Sequence, residues 1–406
     1  MSELARRRRG LLRLNPNELG LIVAVVAVIA FTAAVDPDHD YWFSPLACAR
    51  QVLVETALLG TIALGAAVVI IAGGIDLSSG SMIAFSATVC ASIMLLLAPE
   101  PMQGTGEPVG WGVISVAVAG TLVAGVLVGS LHAWLITVLE LPPFIATLAT
   151  LVGLRSFARW IVPSVTELVT GGPKGQIEVP ARNFCWLGGS YVVPPLIWIT
   201  LVVFCVVLLR WTTVGRHLYA LGGNEQAARL SGIRTDRIKW MAYCLSAILA
   251  SIAGILYAGF SSQAKPETLG QAYELKAIAA AVVGGCSLKG GAGTILGTVL
   301  GCLFLCTVTD GIAKIIVGDA DVYEGLIVGI VVVMAVAFNQ LRQSGGTRIR
   351  FFGGSLGTVM VFTLALLAAV ISGLIAGRTT ASVAAVVALA VLGTIKFLES
   401  RPSKPV

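Results

Sequence analysis

The chain alternates long apolar segments with short polar or glycine-rich ones, a pattern typical of α-helices that cross a lipid bilayer. A helix needs about 17 to 25 mostly apolar residues to cross the hydrocarbon core. A shorter apolar piece near 275–285, flanked by glycine, predicts a half-helix or one arm of a tight hairpin. We predict full crossings at 19–35, 52–72, 79–98, 111–139, 143–162, 192–209, 240–260, 292–317, 322–339, 353–376 and 380–397.

The composition indicates an all-α, polytopic transmembrane helical bundle. Of the 406 residues, 57% are hydrophobic and 12% are charged. Soluble domains carry about 25% charged residues, so a soluble globular protein is excluded. Counting the short piece as a crossing gives about twelve passes, and treating it as re-entrant changes which side the later loops face.

Basic residues set the predicted orientation, because loops that carry arginine and lysine stay on the cytoplasmic side. The basic clusters lie at 6–13, 210–239, 342–350 and 401–404, and the opposite loops are mostly acidic. Under the twelve-pass count, all four clusters fall on one side. We therefore predict cytoplasmic termini, and we attribute the net charge of +6 to topology rather than to nucleic-acid binding.

The same pattern divides the chain into three parts. A basic cytoplasmic tail at 1–18 precedes a transmembrane domain at 19–340. The remainder, 341–406, begins as a glycine-containing linker and continues as an appended helix pair. Within the transmembrane domain we expect an outer loop at 163–191 and a cytoplasmic loop at 210–239.

The segment Gly73–Ser81 places glycines, hydroxyls and a carboxylate between two apolar runs, where the bilayer penalises unsatisfied polar groups. One interpretation is a helix break in which Asp76 and Ser78 cap the next helix and glycine permits the turn. The other is a polar lining of a translocation path. Because the predicted topology puts the break near the cytoplasmic face, capping or gating is favoured. A similar spacing at Gly284–Gly291 indicates either an internal repeat or a chance match.

The cytoplasmic loop contains one predicted helix. Asn224 is a suitable N-cap, Glu225 favours the first turn, and Gly232 ends the helix after about two turns. A short rigid helix with small and charged side chains suits docking into a groove of a cytoplasmic partner. The alternative is a solvated connector that only joins two spans.

Signatures of enzymes are missing from the sequence. The chain has no phosphate-binding loop, no zinc-protease motif and no Gly-x-Ser-x-Gly motif in a strand-turn-helix context. Its eight cysteines lack metal-ligand spacing and its three histidines are scattered. For His132 we expect a hydrogen bond to a neighbouring helix. We therefore predict no catalytic residue, no metal site and no cofactor.

Five motifs resemble one family of membrane proteins. They are Gly73–Ser81, Leu141–Leu148, Gly215–Ile233, Tyr273–Ala280 and Gly284–Gly291. In this order, over roughly residues 45–340, they resemble the membrane permeases of bacterial ABC importers for ribose, xylose, galactose and related sugars. Branched-chain amino-acid permeases are similar more distantly.

The resemblance implies a type II ABC importer-like permease in the bacterial inner membrane, with about ten family spans and two extra C-terminal ones. It implies cytoplasmic ABC ATPase subunits, an extracytoplasmic sugar-binding protein and a second permease copy, identical or different, embedded in lipid. The implied function is inward movement of a monosaccharide by alternating access. ATP hydrolysis then belongs to a partner chain.

The resemblance also assigns roles to individual residues. Contact with the ATPase is expected at Gly223, Asn224, Glu225, Ala227, Ala228, Arg229 and Gly232. The translocation path or its gate is expected at Gly74, Asp76, Ser78, Ser79, Phe144 and Glu274. Further polar groups inside predicted spans are Glu55, Thr56, His132, Arg155, Arg159 and Asp310. Packing or pairing across helices is the simpler role for each of these.

Departures from the family pattern leave the substrate open. His132-Ala133 stands where asparagine-glycine is common, Asp310 stands where asparagine is common, and the last two spans lie beyond the usual end of such permeases. A branched-chain amino acid, a nucleoside or an autoinducer is an alternative substrate. A secondary transporter without an ATPase and a non-transporting scaffold are alternative functions.

Overall fold

A computed structural model describes residues 16–104 and 108–315, together with 325, 329–330, 333, 357–366, 382, 386–394 and 396. Two compact units divide the chain, Met1–Val336 and Ala337–Val406, and the elements named below belong to the first. The predicted spans 322–339, 353–376 and 380–397 lie mostly outside the described residues, although 357–366 and 386–394 are helical.

Fourteen helices and one strand pair occur in the described part of the first unit. The helices are α1 (Pro16–Val35), α2 (Asp40–Phe43), α3 (Pro45–Ile71), α4 (Ser79–Leu97), α5 (Pro99–Met102), α6 (Trp111–Thr137), α7 (Pro143–Thr170), α8 (Arg182–Gly189), α9 (Val193–Trp211), α10 (Thr213–Gly223), α11 (Glu225–Leu230), α12 (Thr235–Ser261), α13 (Tyr273–Val283) and α14 (Ile295–Ile315). The antiparallel strands are β1 (Ile177–Glu178) and β2 (Gln263–Ala264), with Ile177 opposite Ala264.

Eight of these helices are long and apolar enough to cross a membrane, namely α1, α3, α4, α6, α7, α9, α12 and α14. The predicted polytopic helical fold is thereby confirmed for the described residues. The short piece expected near 275–285 is the eleven-residue helix α13, which matches the predicted half-helix.

The expected outer loop at 163–191 begins later than predicted and contains short elements of its own. Helix α7 continues through Pro163 to Thr170, and β1 and α8 occupy much of the rest. Proline removes one backbone donor, but inside a membrane protein neighbouring groups compensate, so it need not end the helix.

The loop at 210–239 is more structured than expected, because α10 precedes the predicted helix α11 and α12 begins at Thr235. Glycines lower the helix propensity of α10, and its packing compensates for that. Leu218 and Leu221 are buried in the bundle core. The Tyr219 hydroxyl donates to the Gly293 carbonyl at 2.8 Å, and burial raises the pKa of this phenol, which keeps it a donor.

Helices α3, α4, α12 and α14 form the centre of the bundle, and α1, α6, α7 and α9 lie around them. Small residues let the central backbones approach closely, as is usual where lipid supplies no hydrophobic driving force between helices. Gly254 of α12 packs on Ser86 and Ile83 of α4, and Gly129 of α6 packs on the α12 backbone at Cys244.

We predict that Gly254→Ala destabilises the bundle, because an added Cβ would collide with the Ser86 hydroxyl and the Ile83 carbonyl. Overpacking of this kind costs about 1–3 kcal/mol. Gly153→Ala in α7 is the matched control, since a Cβ there meets nothing within 4 Å. Thermal unfolding of the detergent-purified chain measures both variants. Equal midpoints for the two variants would contradict the packing argument.

Candidate coupling surface and translocation site

The bundle has two distinct ends. The end that carries α10, α11 and the start of α12 is here the loop end, and the end that carries α2, α5 and the strand pair is the far end. Helices α3, α6 and α9 run from the far end to the loop end, whereas α7, α12 and α14 run the other way.

Helix α11 has the predicted start and stop. The Asn224 side-chain oxygen accepts a hydrogen bond from the Ala227 amide at 2.9 Å. Gly232 adopts a φ of 83°, and the amides of Gly232 and Ile233 donate to the carbonyls of Arg229 and Ala228 at 3.0 and 3.1 Å. This pair of bonds is the Schellman motif, which favours glycine at the left-handed position.

Ion pairs fasten α11 to the base of α12. The Lys239 ammonium lies 2.6 Å from the Glu225 carboxylate. The Arg229 guanidinium lies 3.6 Å from carboxylate oxygens of both Glu225 and Asp236. These pairs are partly solvated, so their main effect is to orient α11.

The expected coupling residues do not all face outward. Gly223, Asn224, Ala227, Arg229 and Gly232 are exposed, and Glu225 is half-buried. Ala228 differs, because it is only 4% exposed and anchors the helix against the bundle. Leu230, which the sequence reasoning did not include among the contact residues, is 90% exposed.

Three glycine-rich turns meet at the loop end. Gly222 of α10 packs directly on Gly73, and both pack on Gly290. The Gly291 amide donates to the Ile71 carbonyl at 2.9 Å. An added Cβ on Gly222 would collide with the backbone of Ile71 and Gly291. This contact, here the glycine junction, therefore joins α10 to the end of α3 through backbone alone.

The similar glycine spacing in Gly73–Ser81 and Gly284–Gly291 corresponds to a repeated local structure. Helices α3 and α13 both end in Schellman motifs, with Gly73 and Gly285 at φ values of 83° and 96°. In each turn the two closing hydrogen bonds measure 2.9 Å. The structural match pairs Gly73 with Gly285, whereas the similar sequence spacing pairs Gly73 with Gly284, one residue earlier.

Beyond the glycine junction the chain runs without regular structure through 74–78 before α4 begins. Asp76 lies in this stretch and is 2% exposed. One carboxylate oxygen accepts from the Ser78 amide at 2.9 Å and the Ser78 hydroxyl at 2.6 Å. The other accepts from the Ser246 hydroxyl of α12 at 2.7 Å.

The capping interpretation of Asp76 and Ser78 is wrong in its detail. Ser78 occupies the N-cap position of α4, but neither side chain bonds the first amides of that helix. The Ser78 hydroxyl donates to Asp76 instead. Asp76 therefore holds the turn before α4 and fixes that turn to α12.

The break begins near the end of the bundle where it was expected and leads into the interior. Only Gly73 and Gly74 lie at the loop end. The Thr147 hydroxyl of α7 lies 3.3 Å from the Ile75 carbonyl, and Thr147 is about 6 Å along α7 from Pro143. Ser246 is likewise about 16 Å along α12 from Thr235. Asp76 thus sits within the apolar thickness of the bundle.

The membrane-spanning helix α4 and the half-helix α13 begin next to each other. Gly80 in the first turn of α4 packs on Glu274 in the first turn of α13 and on the Gly270 carbonyl. Arg155 of α7 donates to that carbonyl at 3.1 Å, and to those of Pro266 and Leu269 at 2.8 and 3.0 Å. One Glu274 oxygen is buried and has no hydrogen-bond partner among the described residues. Interrupted helices of this kind line substrate sites in many transporters.

Two aromatic residues, His132 and Tyr243, lie close to the break at 74–78. His132 hydrogen-bonds Thr150 of α7 at 2.7 Å, which confirms the expected bond to a neighbouring helix. Its ring lies edge-on to Tyr243, with centroids 6.2 Å apart, and the Tyr243 hydroxyl lies beside Gly74. Sequence reasoning missed Tyr243 and Ser246, although their spacing of three places them on one face of α12.

A cavity of about 390 Å³ lies at the loop end beside the break. Its walls are the Gly73-Gly74 turn, the Leu141-Pro142-Pro143 turn, Tyr243, and the charged side chains of Glu225 and Arg229. Phe144, expected on the path, lies outside this cavity on the bundle surface and is 51% exposed.

Comparison with known proteins identifies the family. A sequence profile described as "Branched-chain amino acid transport system / permease component" matches residues 49–337. The chain belongs to this permease family. The ribose import permease protein of Escherichia coli is 35% identical over 328 residues, which cover 79% of this chain and 93% of that protein. No solved structure matches the chain.

Other members carry different names. The ribose import permease protein of Bacillus subtilis is 34% identical over 329 residues, covering 81% of this chain and 94% of that protein. The galactose/methyl galactoside import permease protein of Escherichia coli is 29% identical over 330 residues, covering 81% and 95%. The sequence-based recognition as a multi-pass transport permease of the inner membrane is confirmed.

We predict that Asp76→Ala and Ser246→Ala destabilise the chain non-additively, because each removes one partner of the same buried hydrogen bond. Hydrogen bonds to charged groups contribute about 1.5–3 kcal/mol. A double-mutant cycle followed by thermal unfolding should give a coupling energy of about 1 kcal/mol or more.

Ser251→Ala is the matched control for this cycle. Ser251 is buried in the same helix, and its hydroxyl bonds only the Ala247 carbonyl, 2.8 Å away. Its effect should simply add to that of Asp76→Ala. Additivity in both cycles would refute the proposed fixing of the turn to α12.

Proposed function

We propose that this chain is the membrane subunit of an ABC importer and moves a monosaccharide inward, driven by separate ATPase subunits. The relatives named for ribose and galactose import support the substrate class. The observation that carries the proposal is the glycine junction, because it joins an exposed helix pair at the loop end to the broken helix inside the bundle.

The mechanism follows from one face of α12. Lys239, Tyr243 and Ser246 recur at helical spacing along this face. Lys239 holds Glu225 of α11, and Ser246 holds Asp76. When an ATPase pushes α11, α12 and the turn at Asp76 move with it. A displacement at the loop end is thus transmitted to the first turns of α4 and α13 as a rigid-body movement.

The partners and the orientation belong to the same proposal. The loop end faces the cytoplasm and the ATPase subunits, and both termini lie on that side. A sugar-binding protein delivers ligand at the far end. Arg159 supports a second permease copy, since it is exposed about 24 Å along α7 from Pro143, at a depth where arginine faces protein or water rather than lipid.

The path residues divide by burial. Asp76, Ser78 and Ser79 are at most 2% exposed and act as the fixed part of a gate. Phe144 and Glu274 are more accessible and would face the solute between two permease copies. Gly74 lines the cavity at the loop end, where solute leaves.

We predict that Leu230→Glu weakens binding of the ATPase subunit by about tenfold or more, since buried apolar anchors dominate protein interfaces. The permease itself should stay stable, because this side chain is 90% exposed. Leu168→Glu, at the far end of α7 and 77% exposed, is the matched control. Co-purification and affinity measurements compare the two. An unchanged affinity for Leu230→Glu would exclude α11 as the docking element.

We also expect proteoliposomes with permease, ATPase and binding protein to accumulate D-ribose or D-galactose only with ATP. A hydrolysis-deficient ATPase partner should abolish uptake, because this chain lacks a phosphate-binding loop. Radiolabel uptake with and without ATP provides the measurement. Uptake that persists without any ATPase subunit would favour a secondary transporter.

A further inference from the structure

A second cavity, of about 280 Å³, lies in the far half of the bundle between α3, α12, α13 and α14. It is separate from the cavity at the loop end and shares no residue with it. Its polar side chains are Glu55, Tyr257, Tyr273, Lys276 and Thr309. Tyr273 and Lys276, two residues of the Tyr273–Ala280 motif that have no role in the proposed gate, line this far cavity.

The polar groups of the far cavity are arranged around two aromatic rings. Tyr257 and Tyr273 meet edge to face, with centroids 5.0 Å apart and planes at 83°. The Lys276 ammonium lies 5.1 Å from the centre of the Tyr273 ring. Glu55 completes the wall about 15 Å along α3 from Pro45. A carboxylate and an ammonium at this depth are costly, and such groups usually mark a solute site.

The remaining walls are apolar and include Leu58, Leu59 and Ile312. One acidic and one basic side chain give the cavity no net charge, which disfavours an anion or a cation. Hydroxyl, carboxylate and ammonium groups supply both donors and acceptors, while the aromatic faces suit a C–H surface. The cavity volume of about 280 Å³ lies just below the range of about 300–1,000 Å³ for ligand pockets.

We propose that the far cavity binds one monosaccharide as a neutral polyhydroxylated ring, between Glu55 and Lys276 and against Tyr257 and Tyr273. This inference rests on the proposed import function and adds a binding site for the transported sugar. Solute would occupy the far cavity before it reaches the first turns of α4 and α13.

The first turn of α13 links this binding site to the gate. Tyr273 and Lys276 face the far cavity, whereas the intervening Glu274 packs on Gly80 of α4. A sugar held by Tyr273 and Lys276 therefore bears on the same turn that contacts α4. Occupancy of the far cavity would shift the contact between the first turns of α4 and α13.

The test uses Ala313→Cys, because Ala313 is exposed and lines the far cavity. The complex of permease and ATPase in nanodiscs, without binding protein, carries Cys306→Ala, because this native thiol also lines the far cavity. It is labelled with a small charged methanethiosulfonate reagent. Millimolar D-ribose or D-galactose should slow labelling about tenfold, the effect of about nine-tenths occupancy. Asp38→Cys, exposed elsewhere at the far end, should label at the same rate with and without sugar.

Two further variants separate binding from folding. Glu55→Gln combined with Lys276→Met should keep the labelling rate of Ala313→Cys without sugar but lose protection by sugar. Tyr257→Phe, which keeps the ring, should weaken protection partially. Protection that survives the double variant, or protection by L-leucine but by neither sugar, would overturn the assignment.

The outcome is distinguishable from failure of the proposed function. If ATP-dependent sugar uptake occurs but neither sugar protects Ala313→Cys, the far cavity is not a sugar site and only this inference fails. If protection occurs but uptake does not require an ATPase subunit, the import mechanism fails and the binding site stands.

Discussion

Backbone groups without partners cost several kcal/mol each in the interior of a bilayer, so irregular chain survives there only where protein satisfies it. The stretch 74–78 is such a chain, and Asp76 is one of the groups that satisfy its backbone, together with the Thr147 hydroxyl beside the Ile75 carbonyl. The Asp76 carboxylate accepts three hydrogen bonds, two from the following turn and one from α12. The start of α4, its contact with α13 and the cavity at the loop end all depend on this turn staying in place.

Close helix packing is the second requirement. Gly254 and Gly129 let α12 lie against α4 and α6 with little between the backbones. The same property at Gly222 and Gly73 converts packing into mechanical connection, because no flexible side chain separates α10 from α3. The ion pair of Glu225 with Lys239 adds a second connection from the surface helices to α12.

Local signals in the sequence predicted local structure well. Asn224 and Gly232 predicted both ends of α11, since N-caps and left-handed stops depend on a few neighbouring residues. The depth of Asp76 was not predictable, because it depends on where the extended stretch leads relative to helices distant in sequence. Ser246 gave no signal for the same reason: one serine in an alanine-rich helix is unremarkable until its partner is known.

The strand pair deserves a mechanical interpretation. Two residues from each strand, with a further bond from the Val179 amide to the Ser262 carbonyl at 2.9 Å, tie the chain beyond α7 to the end of α12. The far ends of α7 and α12 are thus held together at one point. Rotation by about 5° around that point would displace the other end of a helix roughly 40 Å long by about 3.5 Å. A small rotation at the far end would then become a larger displacement at the loop end.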